Sequence, residues 1–156
     1  MVGGTDQISN RIAATAPKVA TVLQGIHTHS PTAQVRVVGY LDVFPETGPG
    51  CWPVVPLAYA DVPYLRAKEK ELNAMLAQQA SANNATFIDV YTPSIGHDAC
   101  QPPCRRWVEP LSPAAPAAPM HPNATGMLGT AAIVLGSPPP TSPAVCPVAA
   151  APRFTG

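Results

Sequence analysis

Two short runs rich in β-branched and aromatic residues, 34–40 (QVRVVGY) and 86–91 (TFIDVY), each follow a stretch of helical periodicity. That order of helix, strand, helix, strand constrains the fold more than any other feature. Runs of this kind read as buried strands of a largely parallel sheet. A connection of crossover length between them implies a right-handed α/β layer arrangement. Two strands do not make a stable sheet alone, so further strand partners are expected from elsewhere.

The first helical stretch places Ile12, Ala16, Val19, Leu23 and Ile26 on one face. Pro17 interrupts that pattern, so a kink or restart is expected, with Thr15 as cap and Pro17 in the new first turn. After the first strand, Leu41-Asp42-Val43-Phe44 leads into the loop 45–60, rich in Pro and Gly and carrying Cys51-Trp52. A loop this long in a compact domain is either functional or pinned. Asp61 is expected to cap a second helix that has Pro63 near its start. Leu65, Leu72, Met75, Leu76 and Ala80 form its inner face, while Arg66, Lys68, Glu69, Lys70 and Glu71 face water. Asn83-Asn84 ends it. A last short helix, from about 123 to 135, is expected to turn Met127, Leu128 and Ala131 inward. Residues 1–135 read as the domain portion and 136–156 as a disordered Pro/Ala-rich tail.

Nine basic residues balance nine acidic ones, so no electrostatic argument favours nucleic acid or an anionic membrane. No apolar run is long enough to span a bilayer. The first residues lack the basic, apolar, small-residue order of a signal peptide. Cys100 and Cys104 have no matching second pair, so no metal site is expected. Cys51 and Cys100 each fall in a loop that follows a strand, on the same edge of the sheet. A disulfide between them is expected, in preference to one between Cys100 and Cys104. It would pin the long loop and contribute about 3 kcal/mol, and it implies an exported protein.

His121 stands between Pro119 and Pro122 in APMHPNATG. Both prolines fix φ near about −65° and bias the residue before them towards extended backbone. The imidazole is therefore presented from a stiffened loop at the mouth of the last helix, which suits a base that must keep one orientation. His97, just past the second strand, reads as a loop-bracing residue, and Asp98 beside it as a distant candidate acid for His121. His27 and His29 lie where a helix C-terminus favours them. Ser94 is the only serine beside a strand end, and it lacks the Gly-flanked elbow of a nucleophile. Trp52 and Trp107 read as packing residues near the cleft.

The ordered succession ATAPKVATVLQGIHTHSP, VRVVGYLDVFPETGPGCWP, DVPYLRAKEKELNAML, FIDVYTPSIGHDAC and HPNATGM lies within residues 7–130. It resembles the C-terminal half of the exported actinobacterial SGNH hydrolases, also called GDSL-type lipases and esterases. The resemblance implies a three-layer α/β/α flavodoxin-like domain, here with its N-terminal strands missing. It implies a serine ester hydrolase acting on a lipid or short acyl ester by acyl transfer, with no metal and no organic cofactor. The histidine of the family's last conserved block maps to His121. In that role it takes the serine proton and later hands it to the leaving alcohol.

The family's nucleophile belongs to a Gly-Asp-Ser block near the start of the domain, and no such block occurs in these 156 residues. Gly3-Gly4-Thr5-Asp6 reads as a loop rather than as the family's Gly-x-Asn-Asp block. The aspartate often found three residues before the histidine is Ala118 here; some members hold the imidazole with a backbone carbonyl instead. The expectation is a fragment that keeps the base, lacks the serine and is inactive alone, with a missing N-terminal half as its partner. The family implies secretion or residence in the cell envelope. The alternative is a non-catalytic α/β scaffold or binding fragment, or a non-functional truncated product.

Overall fold

In the computed structural model residues 5–141 and Cys146 are described. The element order is α1 (Gln7–His29), β1 (Arg36–Val38), α2 (Asp61–Ala82), β2 (Thr86–Ile88), α3 (Tyr91–Ser94) and α4 (Ala124–Val134). The two strands pair in parallel, with Val37 opposite Phe87. Side chains alternate across the sheet. Phe87 turns towards Gly39 and Asn73 on the α2 side, whereas Ile88 packs with Ile133 of α4 against a core of Leu41, Val55, Val90, Trp107 and Val108. α1 lies outside α2 and contributes one buried residue, Leu23. The layers are therefore helices, sheet, then α4 with its leading loops.

α1 runs without the restart expected at Pro17. Asp6 caps it, accepting from the amides of Ile8 and Ser9 at 3.1 Å. Proline removes one donor from the helix ladder, and here the cost is small because Ala13 and Pro17 both face solvent. Asp61 does not cap α2; it occupies the first turn, where its charge favours the helix dipole. Glu69, expected in water, reaches the sheet and accepts from the Val43 amide at 3.3 Å. Asn84 ends α2 in the left-handed region, φ 53°.

The face of α4 also differs from expectation. Met127 and Leu128 are exposed, and Gly126 and Gly129 are the buried positions. A Cβ at Gly129 would lie 2.6 Å from the Trp107 ring, and one at Gly126 would overlap the Trp107 carbonyl. The large indole thus selects the glycine face of the helix. Cys51 is bridged to Cys100, and Cys104 to Cys146. The second bridge ties the segment after α4 back to the loop before it. Of the tail, residues 142–145 and 147–156 lie outside the described residues, as do Gly3 and Gly4.

Candidate active site

The site is built on a backbone ribbon rather than on a sheet strand. Val108 and Pro122 form an antiparallel bridge. The Glu109 amide donates to the His121 carbonyl at 3.0 Å, the Met120 amide to the Glu109 carbonyl at 3.0 Å, and the Asn123 amide to the Trp107 carbonyl at 2.8 Å. Met120 takes a left-handed conformation, φ 58°, which is costly for a side chain of its type and persists where surrounding bonds over-determine it.

Those bonds come from a buried network. Glu109 is 1% exposed and Arg106 5%. The carboxylate accepts from Arg106 Nε at 3.0 Å and Nη2 at 2.8 Å. It also accepts from Asn123 Nδ2 at 2.9 Å and from the amides of Ala114 and Ala115. Burial pushes the Glu109 carboxyl up, but the bonds from Asn123, Ala114 and Arg106 outweigh it and hold the group below the usual carboxylate range. Asn123 Oδ1 meanwhile accepts from the Gly126 amide and caps α4. One asparagine therefore locks the helix start, the ion pair and the histidine loop together. Composition alone did not reveal this network, although Arg106 and Glu109 stand three apart in RRWVEP, the one local signal available.

His121 is exposed. Its Nδ1 lies 2.8 Å from the Pro119 carbonyl oxygen. A carbonyl only accepts, so Nδ1 carries the hydrogen, and in the neutral ring Nε2 presents a lone pair. The ring borders a cavity of about 300 Å³ walled by Leu41, Val43, Val108, Met120 and Thr130 and closed by Gly39 and Tyr40. Gly39, Tyr40, Leu41 and Val43 come from just beyond the C-terminal end of β1, the edge where parallel α/β proteins place their sites, and Val108, Met120 and Thr130 from the ribbon and α4.

Other candidate residues lie elsewhere. Asp98 is buried and accepts from the Cys100 amide and the Gln101 side chain, so its carboxylate serves its own turn rather than His121. Ser94 is buried, accepting from the Asp42 amide and donating to the Tyr91 carbonyl, with no hydroxyl left towards solvent. His97 stacks on Trp107, with ring centroids 4.5 Å apart, and its Nδ1 contacts the Arg105 carbonyl at 2.6 Å. Trp107 is fully buried, whereas Trp52 is 61% exposed. Among the described residues no three His, Cys, Asp or Glu side chains converge as metal ligands do.

A second buried acidic group lies beneath the sheet end. Asp42 is fully buried, and the Tyr91 hydroxyl and Gly96 amide that face it do not reach hydrogen-bond geometry. Burial, then the nearby charges of Asp98 and Glu46, push its carboxyl up to about 7. Glu69 is pushed up to about 8, again chiefly by burial, with the Val43 amide opposing.

Parallel strands layered between helices, with a histidine over an apolar cavity at their C-terminal end, define a flavodoxin-like α/β protein. Solved structures bear this out. The phospholipase A1 of Streptomyces albidoflavus superposes with a TM-score of 0.70 at 20% identity, over 82% of this chain and 52% of that one. The extracellular lipase of Streptomyces rimosus gives 0.65 at 26%, over 86% and 58%. Residues 1–128 match the model of the GDSL-like Lipase/Acylhydrolase family, and the chain belongs to that family. Lipase 2 of Streptomyces coelicolor is 42% identical over 115 residues, and Lipase 1 of the same organism 30% over 112. The chain covers 39% and 40% of those relatives' lengths.

Proposed function

We propose that this chain carries the proton-transfer part of a secreted carboxylic ester hydrolase, with His121 as the base. The observation that carries the reading is the bond from Nδ1 to the Pro119 carbonyl beside the apolar cavity. It fixes the tautomer and aims Nε2 outward, the work an aspartate does in a full triad. The nucleophilic serine is supplied by polypeptide outside these residues, since they contain no Gly-Asp-Ser stretch. His121 Nε2 takes the serine proton as the oxygen adds to the ester carbonyl, then returns it to the leaving alcohol; water repeats the sequence on the acyl-enzyme. The aliphatic walls suit an acyl or alkyl chain of a lipid or short acyl ester. Two disulfides support an oxidising, extracytoplasmic location.

The chain alone is expected to leave a chromogenic short-chain ester intact. Mixed with the preceding part of the domain, from its Gly-Asp-Ser block onward, it should regain turnover, and His121→Ala should lower that turnover by roughly 10⁴–10⁶-fold. Turnover by the chain alone that His121→Ala abolishes would place the nucleophile within these residues and reject the division of labour.

A second reading, a non-catalytic scaffold that completes its sheet with another chain, draws on the outer edge of β1. Among the described residues that edge pairs with no strand, and Val38 and Tyr40 are exposed beside it. A stable inert complex in size-exclusion chromatography, with no esterase activity on mixing, selects this alternative.

A further inference from the structure

Ala118, Pro119, Met120 and His121 form one β-turn, closed by the His121 amide donating to the Ala118 carbonyl at 3.1 Å. Pro119 fixes a negative φ at the second position, and Met120, at the third, has φ 58°. That pair of signs defines a type II turn, whose third position favours glycine because its φ is positive. A residue with a Cβ resists this backbone, so something other than local preference selects it.

Turn types differ in the orientation of their central peptide, here Pro119–Met120. As the turn stands, the Pro119 carbonyl oxygen lies 2.8 Å from His121 Nδ1. A type I turn over the same residues, the ordinary choice for a methionine, would rotate that peptide by roughly 150–170°. The Met120 N–H would then stand on the side the carbonyl occupies now. An amide N–H only donates, so Nδ1 would have to accept. The ring hydrogen would move to Nε2, and no lone pair would face outward.

The ribbon blocks this flip. The Met120 amide donates to the Glu109 carbonyl at 3.0 Å, and the Glu109 amide donates to the His121 carbonyl at 3.0 Å. Turning the peptide over would break the first of these bonds. Glu109 cannot follow the turn, because its carboxylate is bonded to Arg106, Asn123 and the amides of Ala114 and Ala115.

Resting on the reading of His121 as the base, we propose that the Pro119–Met120 peptide positions the imidazole. The left-handed backbone of Met120 sets the tautomer, and the Glu109 carbonyl locks it. The turn type, rather than the histidine itself, determines whether Nε2 can receive a proton.

Met120→Gly, Met120→Leu and Met120→Val provide the test, because backbone preference and side-chain volume order them differently. The full chain, carrying 15N-labelled histidine, is studied by two-bond 1H–15N correlation at about pH 9, where a histidine ring is neutral. These spectra report which ring nitrogen holds the hydrogen, and His121→Ala assigns the signals. The native chain should show the Nδ1–H form. Met120→Gly and Met120→Leu should keep it. Met120→Val, β-branched and poorly suited to positive φ, should shift the ratio towards Nε2–H by about tenfold. If Met120 merely filled space, Met120→Gly would lose the Nδ1–H form most, and that result overturns the proposal. A native ring with its hydrogen on Nε2 overturns it too, as does a folded Met120→Val with no shift. Far-UV circular dichroism and the emission of buried Trp107 report folding; should Met120→Val not fold, Met120→Gly decides alone. Reconstituted with the preceding part of the domain, Met120→Val should lose kcat in proportion to its Nδ1–H fraction. Turnover indifferent to His121→Ala, with the Nδ1–H form intact, rejects the catalytic reading alone. Turnover that needs His121 in a chain whose ring carries its hydrogen on Nε2 rejects the role of the turn alone.

Discussion

At the scale of single residues, His121 is held by its own loop and the loop is held by Glu109. Removing one member of a buried ion pair leaves the other charge without compensation. Glu109→Gln is therefore expected to destabilise the fold by about 3–5 kcal/mol, read as a lowered urea midpoint by the fluorescence of buried Trp107. A change below about 0.5 kcal/mol, the range of an ordinary surface substitution, would show that the network does not brace the ribbon. The stiffened backbone around the histidine was legible in the sequence because proline constrains backbone at its own position and the one before. The brace was not. A binary reading sends Arg106 and Glu109 to the surface, and Asn123 joins them only once the ribbon has closed over fourteen residues.

At the scale of elements, α4 shows how one large side chain decides which face of a helix is buried. Met127, Leu128 and Ala131 satisfy helical spacing, yet the indole of Trp107 occupies the space that their side chains would need. Glycine alone allows that approach, so Gly129→Ala should cost about 1–3 kcal/mol by overpacking, although alanine is the better helix former. Thermal or urea unfolding of the variant checks the sign: a stabilised protein would mean the ring moves freely. Similarly, Pro17 reads as a break only if its surroundings penalise a missing bond. On the exposed side of α1 water satisfies the carbonyl left over, and the helix continues.

At the scale of the whole molecule, the buried acids beneath the sheet set a pH dependence. Asp42 faces Asp98, Glu46 and Tyr91, and Glu69 faces Asp42, Glu46 and Lys70. With folded values of about 7 and about 8 against ordinary carboxyl values of 3.8 and 4.5, the native state holds these protons more tightly than the unfolded chain. Stability therefore falls as pH rises from about 4 to about 8 and levels off above it. The lowered carboxyls Glu46 and Glu109 act in the other direction, contributing above their unfolded values and losing that contribution as pH falls. A stability maximum near about pH 5 follows from the two together. Urea midpoints between these limits should show it, and Asp42→Asn should raise the midpoint at the alkaline end while leaving the acid end nearly unchanged. A wild-type midpoint that climbs steadily with pH would refute the assignment.

Helix–strand order, the stop at Asn83-Asn84 and the stiffened histidine loop all depend on residues that are neighbours along the chain, so composition and spacing were enough to find them. The glycine face under Trp107, the burial of Asp42 with half-buried Glu69 beside it, and the meeting of Arg106, Glu109 and Asn123 depend on groups far apart in sequence. Their positions follow from volume and hydrogen-bond satisfaction inside a closed core, quantities that come into being only when the layers pack.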